Sequence, residues 1–260
     1  MKMEHVEQTL ERIARELEHT PGGMLAFDGD GTLWSGDVGD DLFMSVTERD
    51  GVREPALARL RHMAPLHGVP VEPGDTGAAL ARRLFSAFRE GRVPERDICE
   101  MATWLFAGWE VEAARAFARG VVESHRVGDR VHPEVWRVLE WARAHDIPCY
   151  VVSASPRAVV EAAARVVGFP PENVVASTPQ DDGVTVLADV VPPIPYGPGK
   201  VACLRARTAR PLYAAFGDNV FDLELLAASR VPVAVRPKPR LVERASSLPA
   251  LVQLHPVTGR

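Results

Sequence analysis

Cysteine is scarce in this sequence, and histidine never occurs at the spacing of a metal-binding pair. The three cysteines, Cys99, Cys149 and Cys203, are odd in number and far apart along the chain. They therefore form neither a disulfide framework nor a zinc-ligand motif. We interpret them as small buried residues of a protein from a reducing cytoplasm.

Long apolar runs and a strong excess of one charge are also missing. No stretch approaches the roughly 20 apolar residues that a transmembrane helix requires. Residues 1–20 are too rich in charge for a secretory signal peptide. The net charge is only −5 at pH 7, so we expect neither nucleic acid nor a membrane surface as a partner.

Hydrophobic periodicity divides the chain into two kinds of segment. Residues 3–19 have apolar side chains at helical spacing, and residues 24–27 predict a short strand. Residues 38–125 contain several helical patterns and no convincing strand, whereas strands and helices alternate after residue 130. This alternation predicts an α/β fold with a Rossmann-like parallel sheet and an inserted all-helical domain. We assign residues 1–34 and 130–260 to the core and residues 35–129 to the insertion.

The stretch MLAFDGDGTLW, residues 24–34, has two aspartates at the end of the first predicted strand. Asp28 and Asp30 repel each other, so a positive group is expected between them. Predicted strands at 148–152 and 211–216 also end in polar residues. In an open parallel sheet, ligands bind beyond the carboxyl ends of the strands. The sequence therefore predicts one site there, formed by Asp28, Asp30, Ser153, Lys200, Asp218 and Asp222.

Carboxylates gathered at one buried place need a counter-charge. Oxygen ligands without histidine or cysteine favour a hard divalent cation, and we expect Mg²⁺. Each residue also has a simpler interpretation when it is taken alone. The aspartates could lie in a solvated turn, Ser153 could cap a helix, and Lys200 could be an ordinary surface lysine. Only the joint pattern favours a site.

The order of these motifs resembles that of the haloacid dehalogenase (HAD) superfamily of phosphohydrolases. FDGDGTLW is similar to the first motif of that superfamily, DxDGT, and VVSAS to the second, an apolar strand ending in Ser or Thr. Lys200 fits the third motif, and GDNVFD resembles the fourth. The helical insertion resembles the cap domain of the phosphoserine phosphatase branch. The resemblance covers most of the chain outside that insertion.

The resemblance implies a role for each motif residue. Asp28 would be the nucleophile that forms an aspartyl-phosphate, and Asp30 would act as general acid and then as general base. Ser153 and the N–H of Ala154 would hold phosphate oxygens, and Lys200 would neutralise the transferring phosphoryl group. The Mg²⁺ ligands would be Asp28, the main-chain carbonyl of Asp30, Asp218 and, directly or through water, Asp222, which could also orient Lys200.

The sequence defines the substrate less well than the chemistry. Asp37 lies where the phosphoserine phosphatase branch has a glutamate that contacts the substrate's ammonium. Arg82 and Arg83 are candidates for binding a substrate carboxylate, or one of them only solvates a helix. VSAS also replaces the Ser-Gly-Gly that this branch usually carries. Phosphoserine and other small phosphate esters both remain open as substrates.

Three functions are compatible with these motifs. The first is Mg²⁺-dependent hydrolysis of a small phosphomonoester, the second is phosphoryl transfer to an alcohol acceptor, and the third is phosphate binding without turnover. The intact acidic set favours an enzyme over a binding module. The dehalogenases of the family that this sequence resembles do not need the acid at the position of Asp30 and lack the metal site. The resemblance, with Asp30, Asp218 and Asp222 present, therefore implies phosphate chemistry rather than carbon–halogen cleavage. We also expect a mobile cap with hinges near residues 34–38 and 126–131.

Overall fold

The computed structural model describes residues 1–257. Seven strands form one parallel sheet in the order β1-β9-β8-β7-β2-β3-β4, and β5 and β6 form a separate antiparallel hairpin. The strands are β1 (Lys2–Glu4), β2 (Met24–Phe27), β3 (Cys149–Pro156), β4 (Val174–Ser177), β5 (Pro179–Asp181), β6 (Val186–Val190), β7 (Leu212–Gly217), β8 (Val231–Val235) and β9 (Val252–Leu254).

The central strand β2 shows why this sheet forms. All four of its residues are buried, which is typical of a parallel strand covered by helices on both faces. Successive side chains of a strand point to opposite faces. Leu25 and Phe27 accordingly pack into one hydrophobic cluster, and Met24 and Ala26 into the other. This arrangement confirms the predicted α/β class.

Eleven α-helices accompany the strands within the described residues. Five consecutive ones, α2 to α6, occupy the chain between β2 and α7, so the expected helical insertion is present. The exact domain boundaries, at 34/35 and 129/130, stay a prediction. The helices are α1 (Val6–His19), α2 (Val38–Glu48), α3 (Glu54–Leu66), α4 (Gly77–Arg89), α5 (Glu95–Trp104), α6 (Val111–Ser124), α7 (Pro133–Ala144), α8 (Arg157–Val166), α9 (Pro198–Arg207), α10 (Leu223–Ala227) and α11 (Pro239–Arg244).

The β5–β6 hairpin connects the core to the helical insertion. The N–H of Gly108 donates to the carbonyl of Val186 at 2.8 Å, and the N–H of Val186 donates to the carbonyl of Trp109 at 2.9 Å. A third bond runs from the N–H of Val111 to the carbonyl of Val184, also at 2.9 Å. The insertion is therefore joined to the core by hydrogen bonds as well as by its two chain crossings.

The two ends of the described chain meet at the edge of the sheet, which sequence periodicity did not predict. Residues 2–4 form the edge strand β1, so the first helix begins at Val6 rather than at residue 3. β1 pairs with β9, a strand of only three residues. Such short strands depend on a distant partner rather than on a local pattern. No helix within residues 1–257 is long and apolar enough to cross a bilayer.

Candidate active site

Three neighbouring strands carry the predicted residues to one edge of the sheet. Asp28 follows β2, Ser153 lies on β3, and Asp218 follows β7. Because β2 pairs with β3 on one side and with β7 on the other, these positions are adjacent. Lys200 completes the group from the first turn of α9.

The ammonium of Lys200 lies between two buried carboxylates. Its Nζ donates to Oδ1 of Asp28 and to Oδ1 of Asp222, each at 2.5 Å. Burial by itself would lower the pKa of Lys200, but the charges of Asp222 and Asp28 raise it above its ordinary value. Lys200 therefore stays charged and holds Asp28 in one orientation.

Asp28, Asp218 and Asp222 form the part of the site that could hold a metal. One carboxylate oxygen from each lies within 4.8 Å of the other two, and all three side chains are buried. Burial, followed by repulsion from Asp222, raises the pKa of Asp28 well above its ordinary value, although Lys200 opposes this. The cluster thus needs more positive charge than Lys200 supplies. An all-oxygen set of this kind fits Mg²⁺.

The loop after β7 is shaped by Asp222 itself. Oδ2 of Asp222 accepts hydrogen bonds from the main-chain N–H groups of Asp218 and Asn219, at 3.0 and 2.9 Å. A side chain at Gly217 would come within 2.5 Å of the Cβ of Asp222, so glycine permits this close approach. The GDNVFD motif therefore folds back on itself and directs both acids toward Asp28.

Asp218 is positioned by a residue that the sequence motifs did not indicate. Its Oδ2 accepts a hydrogen bond from Nζ of Lys238 at 2.9 Å, and its main-chain carbonyl accepts one from the N–H of Lys238 at 2.7 Å. Burial and repulsion from Asp222 raise the pKa of Asp218 to about 6, against the opposing effect of Lys238. Lys238 is therefore the second cation of the site.

Asp30 points away from the metal-ligand cluster. Its Oδ1 accepts hydrogen bonds from Nε1 of Trp34 and the N–H of Val38, both at 2.8 Å, and its Oδ2 accepts one from the hydroxyl of Ser155 at 2.7 Å. Burial, followed by the charge of Asp37, raises the pKa of Asp30 to about 7. A carboxyl group with this pKa can both give and take a proton near neutrality. Metal ligation by its main-chain carbonyl stays a prediction.

The end of β3 supplies small polar groups. Ser153 is buried, and its Oγ accepts a hydrogen bond from the N–H of Ser155 at 3.1 Å, which leaves the Ser153 hydroxyl hydrogen able to donate elsewhere. The pairing with β4 shifts register between Ser153 and Pro156. Ala154 and Ser155 therefore turn toward the cleft instead of continuing the ladder.

A cleft of about 90 Å³ contains these groups, together with residues from the helical insertion. Asp37 lines it from the start of α2, where its Oδ1 also accepts the N–H of Asp40 at 2.9 Å. Asp37 is exposed to the cleft, yet the surrounding protein and the charge of Asp40 raise its pKa to about 6. Glu95 and Cys99 also line the cleft, as do Tyr196 and Phe221, whose ring centroids lie 4.5 Å apart with the rings tilted by 35°.

The two predicted arginines do not reach this cleft, which corrects the expectation from sequence. Nη1 of Arg82 donates to the main-chain carbonyl of Thr47 at 2.7 Å, and Arg83 pairs with Asp75. These contacts stabilise the packing of α4 within the insertion. Within residues 1–257, no arginine lines the cleft.

The cysteines are half-buried rather than fully buried, and all three are free thiols. Cys99 borders the cleft, but burial raises its pKa above the ordinary thiol value. It is therefore a neutral thiol and not a nucleophile near neutral pH. A larger cleft of about 640 Å³ between α6 and α8 contains none of the predicted site residues.

Sequence reasoning missed Ser155 and Lys238. Ser155 follows the second motif directly and could have been found by asking what holds Asp30. The signal for Lys238 lay in composition: the chain has only three lysines, Lys2, Lys200 and Lys238. The other basic side chains are arginines and histidines. Two of the three lysines, whose ammonium groups are more compact than a guanidinium, therefore lie at this site.

A family comparison agrees with this geometry. The model of the HAD family, described as haloacid dehalogenase-like hydrolase, matches residues 25–227. The match spans all four motifs and the helical insertion between the first and the second. The chain therefore belongs to the haloacid dehalogenase-like hydrolases, as the resemblance of its motifs indicated.

Solved structures share the fold at low sequence identity. A protein of unknown function from Bordetella pertussis Tohama I has a TM-score of 0.66 and 21% identity, and the alignment covers 89% of this chain and 97% of that one. A HAD family hydrolase from Salmonella enterica serovar Typhi has a TM-score of 0.50 and 17% identity, covering 90% and 73%. A substrate-bound phosphoserine phosphatase has a TM-score of 0.50 and 14% identity, covering 90% and 93%.

These likenesses establish the shared fold and leave the substrate open, because all the identities are low. Curated protein sequences contain no match to this chain.

Proposed function

We propose that this protein is a Mg²⁺-dependent phosphatase that hydrolyses a small phosphomonoester through an aspartyl-phosphate on Asp28. The observation that carries the proposal is the buried cluster of Asp28, Asp218 and Asp222, with Lys200 between Asp28 and Asp222. A site that binds phosphate without turnover would not need a buried nucleophile next to an acid with a pKa of about 7, as in Asp30.

Asp28, Asp218, Asp222 and the main-chain carbonyl of Asp30 would hold the Mg²⁺. When bound, the cation would reduce the repulsion between the carboxylate of Asp28 and the phosphate group. Lys200 holds Oδ1 of Asp28, so Oδ2 is the oxygen that attacks phosphorus. The ester P–O bond then breaks, and the departing alkoxide takes the proton of Asp30.

In the second half of the reaction, Asp30 works in the opposite direction. Its carboxylate removes a proton from a water molecule, whose oxygen attacks phosphorus as the bond to Asp28 breaks. Inorganic phosphate leaves, and Asp28 and the proton on Asp30 are both restored. The hydrogen bonds from Trp34, Val38 and Ser155 keep Asp30 in one place for both proton transfers.

The phosphate oxygens would be bound by three groups along the cleft. The Ser153 hydroxyl and the N–H of Ala154 come from β3 and the ammonium of Lys200 comes from α9, and all three residues line the same space. Such preorganised donors stabilise charge that develops on the transferring group. Lys200 contributes most, because it stays charged between its two carboxylates.

The size and lining of the cleft support a small substrate. Its volume of about 90 Å³ is well below the roughly 300–1,000 Å³ of common ligand pockets. No arginine within residues 1–257 lines the cleft, so the carboxylate of phosphoserine would have to pair with Lys200 or Lys238, which already contact carboxylates of the site. This favours a phosphate ester without a carboxylate. We propose a cytoplasmic protein, since three free thiols suit a reducing compartment.

Turnover on a panel of metabolite phosphates, with phosphoserine included, tests the proposal. We expect phosphate release that requires added Mg²⁺, stops with EDTA, and falls by at least about a thousandfold in Asp28→Asn. Lys2→Gln is the matched control, because it lies on the edge strand and should keep full activity. Adding alcohol acceptors and analysing the products separates hydrolysis from transfer. If no ester on the panel reacts with the Mg²⁺-loaded protein, the proposal is wrong.

A further inference from the structure

Lys238 has a position that the proposed reaction does not use. Its side chain is 53% exposed and lines the cleft, while its Nζ contacts Oδ2 of the buried Asp218 at 2.9 Å. An ammonium group has three hydrogens to donate, and this contact uses one of them. The others are available on the open side of the cleft.

The main chain fixes this lysine firmly. Lys238 lies between Pro237 and Pro239, whose rings limit the backbone, and its N–H donates to the carbonyl of Asp218 at 2.7 Å. The segment thus attaches the start of α11 to the loop after β7. The flexible stem of Lys238 then allows its ammonium to move while its backbone stays in place.

The net charge of the site shows how Lys238 affects the binding of a divalent cation and of a phosphate group. Asp28, Asp218 and Asp222 carry three negative charges when ionised, and Lys200 and Lys238 carry two positive ones. These five groups together carry −1 without a divalent cation and +1 with one, and Asp30, Asp37 and Glu95, which also line the cleft, add negative charge where they are ionised. Without Lys238 the values would be −2 and zero. Lys238 therefore opposes the cation, and it makes the site one charge more positive for the phosphate group that follows.

The contact between Lys238 and Asp218 also weakens the binding of a cation. Oδ2 of Asp218 is already paired with Lys238, so a cation that binds this carboxylate must compete with the ammonium or share the group with it. We propose that Lys238 sets the balance between the two ligands of the site: it weakens metal binding and strengthens phosphate binding. This inference rests on the proposed function, since it assumes that Mg²⁺ and a phosphate group occupy this cleft.

Calorimetric titration of the full chain tests this directly. Mg²⁺ alone is titrated first, and inorganic phosphate is then titrated into the Mg²⁺-saturated protein. We expect Lys238→Gln to bind Mg²⁺ roughly two- to fivefold more tightly and phosphate more weakly by a similar factor, the range of a partly exposed ion pair. Lys238→Arg keeps the charge and should remain near wild type for phosphate.

Lys2→Gln is the matched control, because it removes the same charge from an exposed lysine on the edge strand and should change neither constant. A role for Lys238 in stability alone would lower the melting temperature without moving the two constants in opposite directions. The inference is overturned if Lys238→Gln leaves both constants unchanged, shifts them the same way, or if the wild type binds no Mg²⁺. Neither titration requires turnover, so a protein that shows both shifts but hydrolyses no ester keeps this inference and loses the proposed function.

Discussion

At the scale of single residues, the site depends on close contacts that tolerate no additional atoms. Gly31 has a φ of +83°, and a Cβ built there would lie 2.2 Å from Oδ2 of Asp218. Glycine thus allows the first motif to turn next to the carboxylate of the fourth. Two distant segments of the chain can meet because one of them has no side chain at this point.

Replacing Gly31 by alanine should therefore damage the site. We expect Gly31→Ala to lose more than about tenfold in kcat and about 1–2 kcal/mol of stability, because the methyl group displaces Asp218 and the backbone is strained. Gly91→Ala is the matched control, since Gly91 has a φ of +77° but nothing within 4 Å of its built Cβ. If both variants keep wild-type kcat, the contact with Asp218 is unimportant.

Glu134 provides a prediction about pH and stability. Its buried carboxylate accepts hydrogen bonds from Nε and Nη2 of Arg236 at 2.7 and 3.2 Å, and one from the N–H of Val257. Burial alone would raise the pKa of Glu134, but the bonds from Arg236 lower it below its ordinary value. A lowered carboxyl pKa stabilises the fold above the unfolded pKa, and this contribution disappears as pH falls through the folded one.

We therefore expect Glu134→Gln to lower the unfolding free energy by about 2 kcal/mol above about pH 5. The difference from wild type should shrink as pH falls below the ordinary glutamate pKa and through the lowered pKa of Glu134 in the folded protein, where the wild-type carboxyl becomes protonated. Urea titrations from pH 3 to 8 measure it. A difference that stays constant over the whole range would show that the charge of Glu134 is not involved.

At the scale of elements, helix α4 shows how packing decides the use of a side chain. Thr76 caps the helix by accepting the N–H of Ala79 at 3.2 Å, and the buried face of α4 lies within the insertion. This orientation directs Arg82 toward the end of α2 and Arg83 toward Asp75. Both guanidinium groups therefore support the insertion instead of a substrate.

Substitution of these arginines should consequently affect folding more than binding. We expect Arg82→Gln to lower the melting temperature and to leave KM for the preferred ester within about twofold, because only a carbonyl contact is lost. Steady-state kinetics and thermal unfolding on the same samples separate the two effects. A tenfold rise in KM at unchanged stability would show that Arg82 does reach the substrate.

At the scale of the whole molecule, the small cleft indicates a closed arrangement of insertion and core. The expected hinges near residues 34–38 and 126–131 stay a prediction, and the β5–β6 hairpin adds a third connection between insertion and core. Its three hydrogen bonds to residues 108–111 must either break or move with the insertion. Because these three backbone hydrogen bonds are partly buried, breaking them is costly, and we expect the hairpin and the insertion to move as one body.

We expect that free and phosphate-bound crystal structures, superposed on the sheet, will show the hairpin displaced together with α2–α6. The bending would then lie in residues 177–179, between β4 and β5, and in residues 191–197, between β6 and α9. The measurement is the set of three hydrogen bonds between the hairpin and residues 108–111, which we expect to find in both structures. A hairpin that stays with the sheet while the helices move away would contradict this. Identical positions of insertion and core in both structures would contradict a mobile cap.

Much of the site was predictable because its chemistry is local. Asp28 and Asp30 directly follow an apolar strand, and Ser153, Asp218 and Asp222 sit at or just beyond the ends of two others. A parallel sheet brings such strand ends to one edge whatever else the chain does. The α/β class and the helical insertion follow from periodicity for a similar reason, since each pattern acts within its own segment.

Other features depended on partners far away in the chain. β1 and β9 stabilise each other across the length of the sequence, and Lys238 meets Asp218 only after β8 has joined the sheet. The sequence by itself determined the fold class and the acidic residues at the strand ends. Only the tertiary structure decided that Arg82 and Arg83 turn away and that Lys238 enters the site. The direction of a side chain depends on the residues that pack beside it, and a local sequence pattern does not identify residues that are distant in the chain.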